Sequence, residues 1–274
     1  MTHHITQSVL ANAVMSAMVA LLFLVSPVQI TADDTIQDEA SKEKQKWTSL
    51  FDGKTLDGWS VPKYEAEDGK NAEVKDGIII IGRSDLASGI KYDKPFPKSN
   101  YEIMYQAQRA GGYDFFGTIT FPVKESHCSF VTGGWSGSVI GLSSINGYDA
   151  SENETTALYT FKDKQWYQFR VCVSDDRIAV WVAPVDDGKT IDAKKDDPKA
   201  PAVARNEIEK PKVDLALDIN KKISTRLEVT FFKPLGISTW NTEGHIRDIK
   251  YRELTSQEIE EMKRQAGRSQ EEDF

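Results

Sequence analysis

From Trp47 to about Leu254 the chain alternates short apolar runs with clusters of Gly, Pro, Asn and Asp, a punctuation that predicts strands. The candidates are Gly77 to Gly82, Asn100 to Arg109, Phe115 to Pro122, Cys128 to Thr132, Ser138 to Ser143, Thr156 to Phe161, Trp166 to Ser174, Arg177 to Ala183, Thr225 to Phe232 and His245 to Arg252. The pattern is clearest in Trp166-Tyr-Gln-Phe-Arg-Val-Cys-Val. Strand side chains alternate with period two, so Phe169 and Val171 share one face and Gln168 and Arg170 the other. Asp175-Asp176 turns the chain into Ile178-Ala-Val-Trp-Val, completing a hairpin. Many strands with no long helix among them predict an all-β sandwich of two sheets.

The flanks read differently. Residues 1–32 hold no Lys, Arg, Asp or Glu and carry the apolar run Ala17 to Val25. That run falls short of the ~20 apolar residues a membrane-spanning helix needs. It fits a signal peptide cleaved after Ala32, with an uncleaved anchor as the alternative and His3 and His4 standing where basic residues are usual. Export to a periplasmic or secreted location, with no membrane attachment after signal removal, is the expectation. Residues 33–46 are charged and aperiodic, a linker, and the folded domain spans 47–254. Pro184 to Asn220, charged and proline-bearing, reads as an extended hairpin excursion. In the final stretch, 255–274, Thr255-Ser-Gln-Glu258 is a capping-box pattern that opens a short helix.

Composition narrows the partners. The 274 residues include 34 Lys plus Arg against 42 Asp plus Glu, a formal charge of −8 that gives no support to nucleic-acid coating. Neutral and cationic partners stay open, and the oligomeric state is not legible. Cys128 and Cys172 are too few for a disulfide scaffold or a Cys-rich zinc site. They read most simply as small buried apolar residues, with one disulfide as the alternative.

The segment Trp47-Thr-Ser-Leu-Phe-Asp-Gly-Lys-Thr-Leu-Asp-Gly-Trp59 resembles the opening signature of the 3-keto-disaccharide hydrolase domain family. Val74-Lys-Asp-Gly-Ile-Ile-Ile-Ile, the Trp166-Tyr strand and the closing Arg247-Asp-Ile-Lys-Tyr-Arg are also similar to that family's pattern. The block from Phe121 to Thr156 resembles a subgroup of exported, planctomycete-type proteins. The resemblance implies a concanavalin-like jelly roll and a saccharide as substrate. It implies elimination or hydrolysis at the glycosidic bond of a 3-keto-sugar. A ketone at C3 acidifies the C2 proton, so a base forms an enolate that expels the C1 substituent. A non-catalytic, lectin-like module is the competing class.

Read on its own chemistry, the opening signature is structural: Asp52-Gly53 and Asp57-Gly58 make turns, and Leu50, Phe51, Leu56 and Trp59 anchor them. The densest polar cluster is Asn146 to Thr156. If its end is extended, Glu152 and Glu154 share a face with Cα atoms ~6.6 Å apart, a spacing suited to an acid–base pair. The same cluster also fits a solvated acidic loop, or a divalent cation such as calcium held by Asp149, Glu152 and Asn153 oxygens. His127 is the preferred base candidate, ahead of His245. Arg109 and Arg247 are candidates for holding enolate or sugar oxygens. Trp135, set between glycines, and Trp240 with Asn241 are candidate stacking platforms, with Asp149 and Asn153 as further substrate contacts. No Walker A, H-E-x-x-H or dinucleotide motif occurs.

Overall fold

A computed structural model describes residues 46–62, 71–185 and 210–271, with side chains as far as 267. The expected signal peptide and most of the linker lie outside these residues. In chain order the strands are β1 (Thr48–Ser49), β2 (Trp59–Ser60), β3 (Ala72–Lys75), β4 (Ile78–Ile81), β5 (Ser88–Tyr92), β6 (Tyr101–Gly112), β7 (Thr118–Val123) and β8 (Ser126–Gly133). They continue with β9 (Val139–Ser143), β10 (Ala157–Leu158), β11 (Trp166–Val173), β12 (Arg177–Pro184), β13 (Val213–Ala216), β14 (Leu235–Thr239) and β15 (Thr242–Glu253), before the helix α1 (Ser256–Glu271). These strands build two antiparallel sheets packed as a sandwich, the all-β jelly roll that the sequence predicts. The eight-stranded sheet runs β13-β12-β11-β6-β15-β4-β3 with β1 also on β15, and the seven-stranded sheet runs β10-β9-β8-β7-β14-β5-β2.

Alternation fixes which side chains fill the space between the sheets. Phe169 and Val171 of β11 are fully buried beside Ile103 and Tyr105 of β6, while Gln168 and Arg170 face outward. Ile119, Phe121, Phe130, Ile140, Leu142 and Ile237 supply the opposing layer from the seven-stranded sheet. The opening signature is structural, as expected. Asp52 accepts from the backbone N–H groups of Lys54 and Thr55 at 2.7 Å each, and Trp59 Nε1 donates to Leu50 O at 2.7 Å. Those backbone hydrogen bonds hold the Asp52 carboxyl below its usual range.

Three segments depart from the expected pattern. Thr225 to Phe232 is not a strand, because Leu227–Phe232 forms a 3-10 turn. Its buried residues Val229 and Phe232 are three apart, the spacing of that turn and not of a strand. Thr156 to Phe161 shortens to the two-residue β10. The excursion after Pro184 ends in a strand of its own, β13, paired with β12; residues 186–209 lie outside the described part. The capping box does form: Glu258 N–H donates to Thr255 Oγ1 at 3.2 Å, and Thr255 N–H donates to Glu258 Oε2 at 2.9 Å. α1 then lays Met262 against Cys172, Ala179 and Leu254 on the outside of the eight-stranded sheet.

Both cysteines are free and buried. Cys128 faces the sandwich interior, while Cys172 lies beneath α1, so the eight-stranded sheet stands between them. Burial pushes the two thiols up to about 12 and about 11 respectively, which leaves neither reactive near neutral pH.

Candidate functional site

One end of the sandwich gathers the β4–β5, β6–β7, β8–β9 and β14–β15 connections, and these loops are laced to one another. Trp240 N–H donates to Phe115 O at 3.1 Å, and Asn241 N–H to Ser84 O at 2.9 Å. The Asn241 amide nitrogen donates to Asp85 Oδ1 at 3.0 Å and its oxygen accepts from Trp240 Nε1 at 2.9 Å. Asp114 fastens the next loop, accepting from Phe115 N–H at 2.8 Å and from Ser136 N–H at 3.3 Å.

The β8–β9 connection carries Trp135. It is a left-handed turn: Gly133, Trp135, Ser136 and Gly137 all have positive φ, with Trp135 at 49° and Ser136 at 70°. A bulky residue rarely adopts that conformation, and such outliers persist only where surrounding bonds over-determine them. Arg109 supplies bracing from inside, donating to Gly137 O at 3.4 Å, to Phe161 O at 3.0 Å and to Asp163 Oδ1 at 2.7 Å. The result is a tryptophan 39% exposed on a rigid turn.

Arg226, the residue before the 3-10 turn, reaches the same place. Its guanidinium lies 5.9 Å from the centre of the Trp135 ring, donates to Asp149 Oδ2 at 2.9 Å and pairs with Glu228 at 3.1 Å. Asp149 Oδ1 accepts from the hydroxyls of Ser143 and Ser144 at 3.2 and 3.3 Å. The Glu228 carboxyl lies below its usual range because its own backbone N–H bonds it, with burial opposing and Arg226 assisting. An aromatic face, a guanidinium and two carboxylates thus share one patch of surface, a set suited to the apolar face and hydroxyl edges of a sugar ring.

The other candidates fall elsewhere. Asn153 is a loop staple: its amide nitrogen donates to Leu142 O, Tyr148 O and Asp149 O at 2.7 to 3.1 Å, and its oxygen accepts from Thr155. It orients Asp149 and offers no atom to a ligand. The stretch holding Glu152 and Glu154 is a series of turns and not extended, so the spacing argument for a carboxylate pair does not apply. Glu154 is ion-paired with Lys221 at 2.6 Å, and Glu152 is exposed. The calcium reading meets the same obstacle. Asp149 and Asn153 spend their oxygens on protein donors, and among the described residues no three His, Cys, Asp or Glu side chains converge on a metal position.

His127 stands near the far end of β8, opposite Pro122. Six residues separate it from Gly133, roughly 20 Å along an extended strand. Burial lowers its pKa, reinforced by Lys233 and Lys98, so the imidazole is neutral at neutral pH but remote from Trp135. Arg109 is a buried clamp, 8% exposed, with its guanidinium bonded to Asp163, Gly137 and Phe161. Arg247 and His245 lie on the outer face of the eight-stranded sheet, across the sandwich, where His245 pairs with Glu243 at 2.8 Å. Arg226 went unnoticed in the sequence because it stands 77 residues beyond its partner Asp149 and no local motif marks it.

Comparison with protein families places residues 46–250 in the family described as the 3-keto-alpha-glucoside-1,2-lyase-like domain, and the chain belongs to that family. No protein with a curated description matches the sequence. Among solved structures, a candidate glycosyl hydrolase of Parabacteroides distasonis is 13% identical, with 79% of this chain and 97% of that one aligned at a TM-score of 0.44. Domain 4 of the arabinanase AbnA from Geobacillus stearothermophilus, solved with arabinotriose, is 13% identical, covering 80% and 99% at 0.44. A carbohydrate-binding module of class CBM66 from Bacillus subtilis is 12% identical, covering 71% and 95% at 0.38.

Proposed function

We propose that this chain is an exported, carbohydrate-active domain that binds a 3-keto-glycoside at the Trp135 rim and promotes elimination of its C1 substituent. The observation that carries the reading is the meeting of Trp135, Arg226 and Asp149 in a chain of the 3-keto-alpha-glucoside-1,2-lyase-like family. Trp135 stacks on the sugar ring. The Arg226 guanidinium, always charged, receives the C3 oxygen as it gains negative charge. Asp149 takes the C2 proton. The electron pair left on C2 then forms the C1–C2 double bond as the C1–O bond breaks, and the proton taken up by Asp149 passes to the leaving oxygen, which departs as an alcohol and leaves the carboxylate as it began. The apolar run Ala17 to Val25, within a segment 1–32 that holds no Lys, Arg, Asp or Glu, supports export.

The test is release of the aglycone from a chromogenic 3-keto-glucoside, with the unoxidised glucoside as control. Wild type is expected to cleave only the keto substrate. Asp149→Asn is expected to lower kcat at least 100-fold, and Trp135→Ala to raise KM about tenfold, a loss of stacking worth ~1.4 kcal/mol. A second reading, binding without turnover, is favoured by one observation: the Asp149 carboxylate is already held by Ser143, Ser144 and Arg226. Saturable binding of the keto-glycoside without aglycone release would establish that reading instead.

A further inference from the structure

The outer face of the eight-stranded sheet is built unlike the rest of the surface. Its central row crosses three strands as Arg247, Gln106 and Gln168, in register. Arg247 Nε donates to Gln106 Oε1 at 2.8 Å, and its guanidinium lies 4.0 Å from the centre of the Trp166 ring. Gln106 donates to Gln168, and Gln168 donates to the carbonyls of Tyr105 and Phe169. Gln106 thus holds Arg247 at its Nε, and Gln168, tied to the backbone, holds Gln106. Its two terminal nitrogens make no bond to the protein among the described residues.

One row further along, Lys250, Met104 and Arg170 stand in line. Lys250 Nζ sits 5.4 Å from the Trp47 ring and, like Arg247, has no carboxylate partner among the described residues. Arg170 rests 4.3 Å from Trp181 and shares Glu102 with Arg252. Arg252 also pairs with Glu258 at 2.8 Å.

That Arg247 and Lys250 face the same way is the work of a bulge. Three positions apart, they would point to opposite sides of a regular strand. The register shift between them, with Asp248 left-handed at φ 54°, resets the phase. Ile246 and Ile249 both turn inward, 0% and 1% exposed, and the two cations turn outward. Their partners Gln106 and Met104 are two residues apart on β6, so the cations stand roughly 7 Å apart along the sheet. Neither forms an ion pair with Asp248.

We infer that this face is a second ligand site, separate from the Trp135 rim, that binds the carboxylate groups of an anionic polysaccharide through Arg247 and Lys250. A guanidinium held at Nε by Gln106, with its two terminal nitrogens free of protein bonds among the described residues, can present those two to a carboxylate in bidentate fashion. The chain as a whole carries −8, so two neighbouring cations without a carboxylate partner among the described residues are a local feature that selects an anion. The saccharide nature of the ligand rests on the proposed function; the anionic character rests on this face alone.

The test is affinity electrophoresis or calorimetry of the full chain with polygalacturonate, using amylose, dextran sulfate and polyglutamate for comparison. Polygalacturonate is expected to bind, and to bind more weakly as salt is raised from 50 to 500 mM. Arg247→Gln/Lys250→Gln is expected to lose at least tenfold in affinity, and Lys250→Gln alone at least threefold. Turnover of the 3-keto-glucoside should be unchanged in both. Trp135→Ala should leave polygalacturonate binding intact while impairing the keto substrate, so the two sites fail independently. Full binding by the double variant, or no binding by wild type, overturns the inference. Equally tight binding of dextran sulfate overturns the carboxylate assignment, and equally tight binding of polyglutamate overturns the saccharide assignment.

Discussion

The two outward faces of the sandwich are made of different residues for a physical reason. The seven-stranded sheet presents Thr118, Thr120, Ser129 and Ser238, none more than 1% exposed, because the chain covers this face itself. Phe232 lies on β5 and β14, where a Cβ added at Gly89 would stand 2.8 Å from its ring and one at Gly236 2.7 Å from its Cβ. The loop after β9 brings Ala150 onto Gly141, and the two coverings are joined by the Ser144–Ser224 backbone pair at 2.7 and 3.1 Å. The eight-stranded sheet instead carries Arg, Gln and Trp, and among the described residues α1 covers the corner at Cys172, Ala179 and Leu254. Small side chains mark a face that the fold closes with its own backbone; long ones, bonded to one another across the strands, cover the other.

Substitutions that open the closed face should cost most. Phe232→Ala removes a side chain with 0% exposure from between Val229, Ala87 and the two glycines, and should destabilise by about 4 kcal/mol in denaturant unfolding. A loss below about 1 kcal/mol would mean that the strap is loosely held and that the closed face is not a real distinction. On the opposite face, Thr255→Ala should cost about 1 kcal/mol through the α1 cap, read from the same unfolding curves and from hydrogen exchange in the helix.

That cap also predicts a pH dependence. Burial alone would raise the Glu258 carboxyl, but bonds from Arg252 and from the Thr255 N–H and hydroxyl outweigh it, so its folded pKa lies below the unfolded one. The stabilisation is therefore complete above the unfolded glutamate value of about 4.3 and fades as pH falls through the lower folded value. Helix protection factors, with the intrinsic pH dependence of exchange divided out, should fall over that interval in the wild type, and a Glu258→Gln variant should show a flatter profile. Smallest of all, Glu154→Gln should shift stability by no more than about 0.5 kcal/mol, since the Lys221 pair lies at the surface, and should leave turnover unchanged. A large fall in kcat would restore Glu154 to the chemistry and shift the site away from Trp135.

Much of the architecture was legible because β11 alternates apolar and polar side chains and β4, four isoleucines in a row, stands out as an apolar run bounded by turn residues. What was missed lies partly at the edges of the open sheet, in β3 and β13, and partly on the closed face. β5 and β14, Ser88-Gly-Ile-Lys-Tyr and Leu235-Gly-Ile-Ser-Thr, carry glycines that weaken any strand signal, yet the close packing of Phe232 requires them. Leu227-Glu-Val-Thr-Phe-Phe has strand composition and becomes a 3-10 turn because docking on that face needs Val229 and Phe232 three apart. At the site, Trp135 was visible from its glycine neighbours. Arg226 was not, since its role is created by the fold bringing it to Asp149. The Glu152 and Glu154 pair was over-read by assuming an extended backbone where Asn153 ties a compact turn.

The position of β15 has a consequence for biosynthesis. This last strand lies between β6 and β4 and also receives β1, so it is the seam of the larger sheet. A nascent chain that has emerged only as far as residue 241 holds β13-β12-β11-β6 as one fragment and β4-β3 as another, with nothing to join them. Assembly of this sheet must wait for Thr242–Glu253 to leave the ribosome, as high contact order implies. Prematurely terminated products should be protease-sensitive rather than partly native.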